Sequence, residues 1–200
     1  MTLVLGLTGG IATGKSTADK FFEEKNIPIV DCDEIAHNIM NVNKPAWKDI
    51  KEVFGEKYLN EDQTINRKKL GKLVFNDPTK MKILNEITHP RIFQEMESQI
   101  AQYKSEGYSL IIVDAPVLFE SHSEKYYDKT LVISLPQDLQ IKRLMARNNL
   151  TKEEALSRIN SQMSLKEKEA RATYVIENTG SVEDLYKKLN ELLTKIKYEG

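Results

Sequence analysis

The sequence predicts an α/β fold, a five-stranded parallel sheet interrupted by two helical insertions. Three observations predict it. Short aliphatic runs recur at Leu3-Val4-Leu5, Ile27-Pro28-Ile29-Val30, Leu110-Ile111-Ile112-Val113, Leu131-Val132-Ile133 and Tyr174-Val175-Ile176, and continuous apolar runs suit strands covered on both faces. Amphipathic stretches of helical period alternate with them, as in parallel sheets built from strand-helix-strand units. The runs are unevenly spaced, and two intervals are too long for a single crossover helix.

In chain order, the apolar N-terminal stretch from Leu3 to Leu7 lacks a basic flank and runs directly into glycines, so it reads as a strand rather than a secretion signal. A helix from Lys15 to about Lys25 then supplies an ordinary right-handed crossover to the second strand. The interval from Glu34 to Ser109 is read as a helical insertion over 34–104, forming a separate lobe. Inside it Trp47, Ile50, Val53 and Phe54 suggest a helix whose tryptophan packs by default, with a substrate-stacking role as the alternative. Met81, Ile83, Leu84 and Ile87 follow helical spacing, His89-Pro90 interrupts, and Ile92, Phe93, Met96 and Ile100 resume it. Two helices or one kinked helix both fit.

The second long interval, 135–173, contains Thr151-x-x-Glu154 and Ser164-x-x-Glu167, both capping-box patterns, and is read as helical hairpins. A last helix follows the Asn178-Thr179-Gly180 turn, with Val182, Leu185, Leu189, Leu192, Leu193 and Ile196 on one stripe. The chain is thus read as a single domain over 1–200, with its core in 1–33, 105–134 and 174–200.

Composition narrows the function classes. The 200 residues carry 29 Lys+Arg against 30 Asp+Glu, a formal charge of −1, so no net basic field favours nucleic acid or anionic membrane. The single cysteine, Cys32, excludes an internal disulfide and a cysteine zinc cluster and fits a reducing cytoplasm. Apart from the N-terminal stretch, the longest apolar run, Leu110 to Val113, is far too short to span a bilayer. His37, His89 and His122 form no ligand spacing.

The decisive motif is Gly9-Gly10-Ile11-Ala12-Thr13-Gly14-Lys15-Ser16, a match to G-x-x-x-x-G-K-[ST]. Its glycines let the backbone wrap so that successive N–H groups face a polyphosphate, and the helix that follows adds its positive dipole end. Lys15 is the expected contact to the β- and γ-phosphates, and the Ser16 hydroxyl a ligand of Mg²⁺. A predicted strand precedes the motif and a predicted helix follows it, the context of a P-loop NTPase core.

Carboxylates and arginines extend the candidate site. Asp31 and Asp33 sit two apart after the second strand; on an extended segment both would face the crevice at the strands' carboxyl edge. Asp33 is a candidate base for an attacking hydroxyl, and the alternative is that one of the two caps the next helix. Asp114, at the end of the third strand, is either a carboxylate near Mg²⁺ or a turn residue before Pro116. Arg143 and Arg147 share a helix face and could reach nucleotide phosphates. A guanine-reading Asn-Lys-x-Asp, which would favour a nucleotide switch, is missing: Asn43-Lys44-Pro45-Ala46 ends in the wrong residue.

The ordered set of motifs resembles the dephospho-coenzyme A kinase family. It comprises Leu5-Gly6-Leu7-Thr8-Gly9-Gly10-Ile11, Val30-Asp31-Cys32-Asp33, His89-Pro90 and Asp114-Ala115-Pro116-Val117-Leu118-Phe119-Glu120. Arg147, Arg158-Ile159-x-x-Gln162 and Val175-Ile176-Glu177-Asn178-Thr179-Gly180 complete it. The resemblance implies transfer of the ATP γ-phosphate to the ribose 3′-hydroxyl of dephospho-CoA, the last step of coenzyme A biosynthesis, in the cytoplasm. It implies a helical substrate domain in 34–104 and a lid in 135–173, with ATP as the phosphoryl donor; Mg²⁺ is expected from the motif, and the near-neutral charge favours no nucleic-acid or membrane partner. It carries the base to Asp33 and ATP contacts to Ala12, Thr13, Gly14, Lys15, Ser16 and Thr17. Arg143 or Arg147 would meet charge developing as the lid closes. Ala12-Thr13 replaces the family's more usual Gly-Ser, and Val117 stands where Leu is common. Oligomeric state stays open, since the inserted helices can face solvent or another subunit.

Overall fold

Three of the chain's nine glycines, Gly9, Gly10 and Gly14, lie at or just past the carboxyl end of one strand. The computed structural model describes residues 2–199, so Met1 and Gly200, the outer ends of the sequence-read core, lie outside it. In chain order come β1 (Leu3–Gly9), α1 (Lys15–Glu24), β2 (Ile29–Asp31), α2 (Cys32–Asn38), α3 (Pro45–Phe54), α4 (Arg67–Asn76) and α5 (Pro78–Ser105). Then follow β3 (Leu110–Asp114), β4 (Lys129–Ser134), α6 (Gln137–Asn148), α7 (Lys152–Asn160), α8 (Leu165–Arg171), β5 (Tyr174–Glu177) and α9 (Val182–Glu199). The chain divides into two compact units, one from residues 1–30 and 102–200, the other from 31–101.

The first unit holds the expected five-stranded parallel sheet, ordered β2-β3-β1-β4-β5. β1 runs between β3 and β4, with Leu5 opposite Ile112 on one side and Lys129 on the other. The chain leaves β1 toward the β2 side and later crosses to the β4 side, so the loop after β1 stands at the sheet's switch point, where open α/β sheets bind ligands. One apolar cluster joins Leu5, Leu7, Ile112, Leu131 and Ile133 of the sheet to Phe21 and Phe22 of α1 and Leu185, Leu189, Leu192 and Ile196 of α9. Val182 breaks from the stripe read for α9: the first residue of the helix, it is 52% exposed. Ile27 and Pro28 stay outside β2; Pro28 has no N–H to give a ladder, although its carbonyl accepts from the Ile112 amide at 3.0 Å.

Segment 135–173 forms α6, α7 and α8. Both capping boxes are present: the Thr151 and Ser164 hydroxyls accept from the Glu154 and Glu167 amides, and each glutamate returns a bond to the cap's amide.

The second unit is helical. Trp47, Ile50 and Phe54 of α3 are buried, whereas Val53 is 47% exposed, and the Trp47 indole donates to the Gln63 carbonyl at 2.7 Å. The tryptophan is therefore a packing residue with its polar edge satisfied. Of the two readings of the His89-Pro90 region, one continuous helix is correct: α5 runs through Pro90. The proline removes the amide that would bond the Glu86 carbonyl. Side chains add bonds around the gap, Thr88 Oγ1 to the Leu84 carbonyl at 2.9 Å and Arg91 Nη1 to that of Ile87 at 2.5 Å. Arg91 also pairs with Asp49 at 2.6 Å, fastening α5 to α3.

Candidate active site

The loop between β1 and α1 has a backbone only partly suited to ordinary residues. Ala12 lies at φ 61° and Gly14 at φ 97°, both left-handed. A Cβ on Gly14 would strike the Asn178 amide, so this position needs glycine on two counts. Ala12 adopts the same region with a side chain, at a cost of roughly 1 kcal/mol. The buried Thr13 hydroxyl donates to the Gly10 carbonyl at 2.9 Å and closes the loop on itself.

Alternate carbonyls of the loop are held from outside it. Lys168 Nζ donates to Gly9 at 3.2 Å, Gln140 Nε2 to Ile11 at 2.8 Å and Asn178 Nδ2 to Thr13 at 2.8 Å. A trans peptide points its carbonyl and the following N–H in opposite directions. The amides of Gly10, Ala12 and Gly14 are therefore turned away from these anchors, and all three residues line one cavity of about 460 Å³. The Ile11 amide is taken up otherwise, by Gln162 Oε1 at 3.0 Å. No side chain caps the amino end of α1, and its first residues Lys15, Ser16 and Thr17 line the same cavity, where a helix dipole favours an anion.

Gly9, Ala12, Thr13, Gly14, Lys15, Ser16, Thr17, Arg143 and Arg147 line this same cavity. Ile11, Pro116, Gln162, Asn178, Gly180, Ser181, Val182 and Leu185 complete the wall. The Arg147 guanidinium lies along its own helix, with Nε bonded to Asn148 Oδ1 at 2.9 Å. Lys15 pairs with Asp114 at short range and with Asp19 at 3.5 Å. Burial pulls the Lys15 ammonium down, but the Asp114 and Asp19 carboxylates outweigh it and hold its pKa above the usual lysine value. Ser16 and Asp114 offer only oxygen donors, the chemistry Mg²⁺ prefers. Among the described residues no group of three or more His, Cys, Asp or Glu could hold a metal, so a cation at Ser16 and Asp114 would complete its shell with phosphate oxygens and water.

Asp31 and Asp33 do not form the pair expected of an extended segment, because the strand ends at Asp31 and α2 begins at Cys32. Asp31 is the helix cap, its Oδ1 accepting from the amides of Asp33 at 2.8 Å and Glu34 at 2.9 Å. The Asp33 carboxylate, in the second unit, is exposed and has no hydrogen-bond partner among the described residues. Cys32 is a packed thiol, its Sγ 4.0 Å from Met96 Sδ.

Sequence reasoning assigned nothing to Gln140, Lys168 or Asn178 at the loop. Asn178 and Gln162 were visible as members of motifs, whereas Lys168 reads as one of several solvated charges on a short helix. Its actual position is fully buried.

The family model for dephospho-CoA kinase matches residues 3–184. A dephospho-CoA kinase of Lactobacillus acidophilus is 56% identical over 202 residues, covering 100% of both chains. Among solved structures, the dephospho-CoA kinase of Campylobacter jejuni aligns at 32% identity and TM-score 0.75 over 98% of each chain. A Thermus thermophilus protein aligns at 31% and 0.84 over 97% of each. A match across nearly the whole chain, with the phosphate loop inside it, shows that the chain belongs to the dephospho-CoA kinase family.

Proposed function

We propose that ATP occupies the cavity around residues 9–17 and that its γ-phosphoryl group passes to the ribose 3′-hydroxyl of dephospho-CoA. Family membership makes the protein a kinase that phosphorylates dephospho-CoA to coenzyme A, the final step of coenzyme A biosynthesis. The observation that carries the ATP assignment is the loop itself: Gly10, Ala12 and Gly14, whose amides turn away from the loop's carbonyl anchors, line one cavity with Lys15 and the uncapped start of α1.

Phosphoryl transfer asks the protein mainly for alignment and charge neutralisation. A polyphosphate entering the cavity gives the Lys15 ammonium a new anionic partner in competition with Asp114 and Asp19. Arg143 or Arg147, both in the cavity wall, meets the charge that builds on the transferring group. The acceptor oxygen attacks the γ-phosphorus, the bond from that phosphorus to the β-γ bridging oxygen breaks, and ADP leaves. Asp33 takes the hydroxyl proton, a role its exposed, unpartnered carboxylate supports. Mg²⁺, held by Ser16 and Asp114, would supply further neutralisation of polyphosphate charge when bound. The helical segment 34–104 is the proposed acceptor domain and 135–173 the lid, which excludes water from the reaction. No helix among the described residues is long and apolar enough to cross a membrane, and we place the reaction in the cytoplasm without nucleic-acid or membrane partners.

The test is steady-state ADP release from two variants. Asp33→Asn is expected to lower kcat about 10²–10⁴-fold with the KM for dephospho-CoA within about threefold. Lys15→Ala is expected to lower kcat/KM for ATP about 10²–10³-fold. Near-normal turnover in either variant would remove that residue from the mechanism.

A further inference from the structure

Lys168 is fully buried although lysine is almost never so. An ammonium has three hydrogens to donate, and three acceptors meet this one: the Gly9 carbonyl at 3.2 Å, the Pro116 carbonyl at 2.9 Å and Glu120 Oε1 at 2.9 Å. Glu120 Oε1 also accepts from the Met163 amide at 3.2 Å, next to the cap of α8. The same short helix is fastened twice more just after Lys168, by Glu169 to Ser134 at the end of β4 and by Arg171 to Glu124.

The two carbonyls are not arbitrary. Gly9 opens the phosphate loop, and its carbonyl direction sets where the Gly10 amide points. Pro116 follows the strand end that carries Asp114, the residue paired with Lys15, and lines the same cavity as the loop. One buried cation thus ties the loop that would bind phosphate to the turn that holds its carboxylate, and it does so from a helix of segment 135–173.

From this juxtaposition we infer that Lys168 is a positioning residue for phosphoryl transfer, holding the phosphate loop and the Asp114 turn at the separation the reaction needs. The inference rests on the reading of the cavity as the ATP site. The Lys168–Glu120 pair supplies the stability of the buried charge, and the two carbonyl bonds supply the positioning.

Two variants separate these parts. Lys168→Met keeps the length and apolar bulk but loses all three bonds, whereas Glu120→Gln loses the charge pair and leaves both carbonyl bonds possible. Both are expected to lower Tm. Only Lys168→Met is expected to raise the KM for ATP about tenfold and lower kcat about 30-fold, with the KM for dephospho-CoA within about threefold, rates being normalised to folded protein. Equal kinetic losses in the two variants, or a Lys168→Met enzyme with unchanged kcat and KM for ATP, would reduce Lys168 to a stability residue and overturn the inference. If Lys168→Met does not fold, Lys168→Gln enters the same comparison, its shorter amide unable to serve both carbonyls. An unsubstituted protein without acceptor-dependent ADP release would instead overturn the reading of the site.

Discussion

Asn178 carries more of the phosphate loop than its place in a turn suggests. Its side-chain amide is buried and donates to the Thr13 carbonyl at 2.8 Å, while Gly14 beside it lacks the Cβ that would collide with it. Asn178→Ala leaves that carbonyl unpaired in a buried setting, which should destabilise the protein by about 1–3 kcal/mol. A denaturant titration should show this loss, and ATP affinity should fall with it; an Asn178→Ala protein with unchanged midpoint and ATP affinity would contradict the anchoring role. Such anchors were not legible in the sequence, since 165 residues separate Asn178 from Thr13 and 159 separate Lys168 from Gly9. The loop was legible because every part of Gly9 to Ser16 has its neighbours within a few residues. For Asp31 the capping alternative holds over the paired one for a local reason: extended backbone that stops at Asp31, two residues short of Asp33, makes the first carboxylate a helix cap.

At the scale of elements, the two capping boxes were legible because a cap and its third residue lie in one turn of chain. Ser164→Ala should lower stability by about 1 kcal/mol, measured as a shift in the unfolding midpoint. Because α8 also presents Lys168, that variant should affect ATP kinetics less than Lys168→Met does. In α5, the pattern around Pro90 could not choose between two helices and one, because the decision rests on Arg91 reaching both the Ile87 carbonyl and Asp49 of α3. His89 lies in this helix, 5.8 Å between ring centroids from Phe93, and burial lowers its pKa below the usual 6.5. The unfolded chain therefore binds the His89 proton more readily than the folded one, and stability falls as pH drops below about 6.5 toward the lowered value. His89→Gln should flatten the stability profile on the acid side of about pH 6.5; an unaltered slope would show that His89 does not contribute.

For the whole molecule, topology places the chemistry. Strand order β2-β3-β1-β4-β5 puts β1 in the middle, with the phosphate loop leaving its carboxyl end between connections that diverge to either side. Alternating apolar runs were enough to read a parallel α/β sheet, since both faces of such a sheet are covered and its strands are continuously hydrophobic. The uneven spacing between runs was enough to expect helical insertions. The second unit spans residues 31–101, and Asp33 falls within it. The acceptor that this arrangement serves is tested most directly by ADP release from Mg·ATP with and without dephospho-CoA, adenosine monophosphate and thymidine monophosphate serving as control acceptors. Strong stimulation by dephospho-CoA alone, with coenzyme A as the product, is the expected result; stimulation by a nucleoside monophosphate instead, or ADP release indifferent to any acceptor, would contradict it.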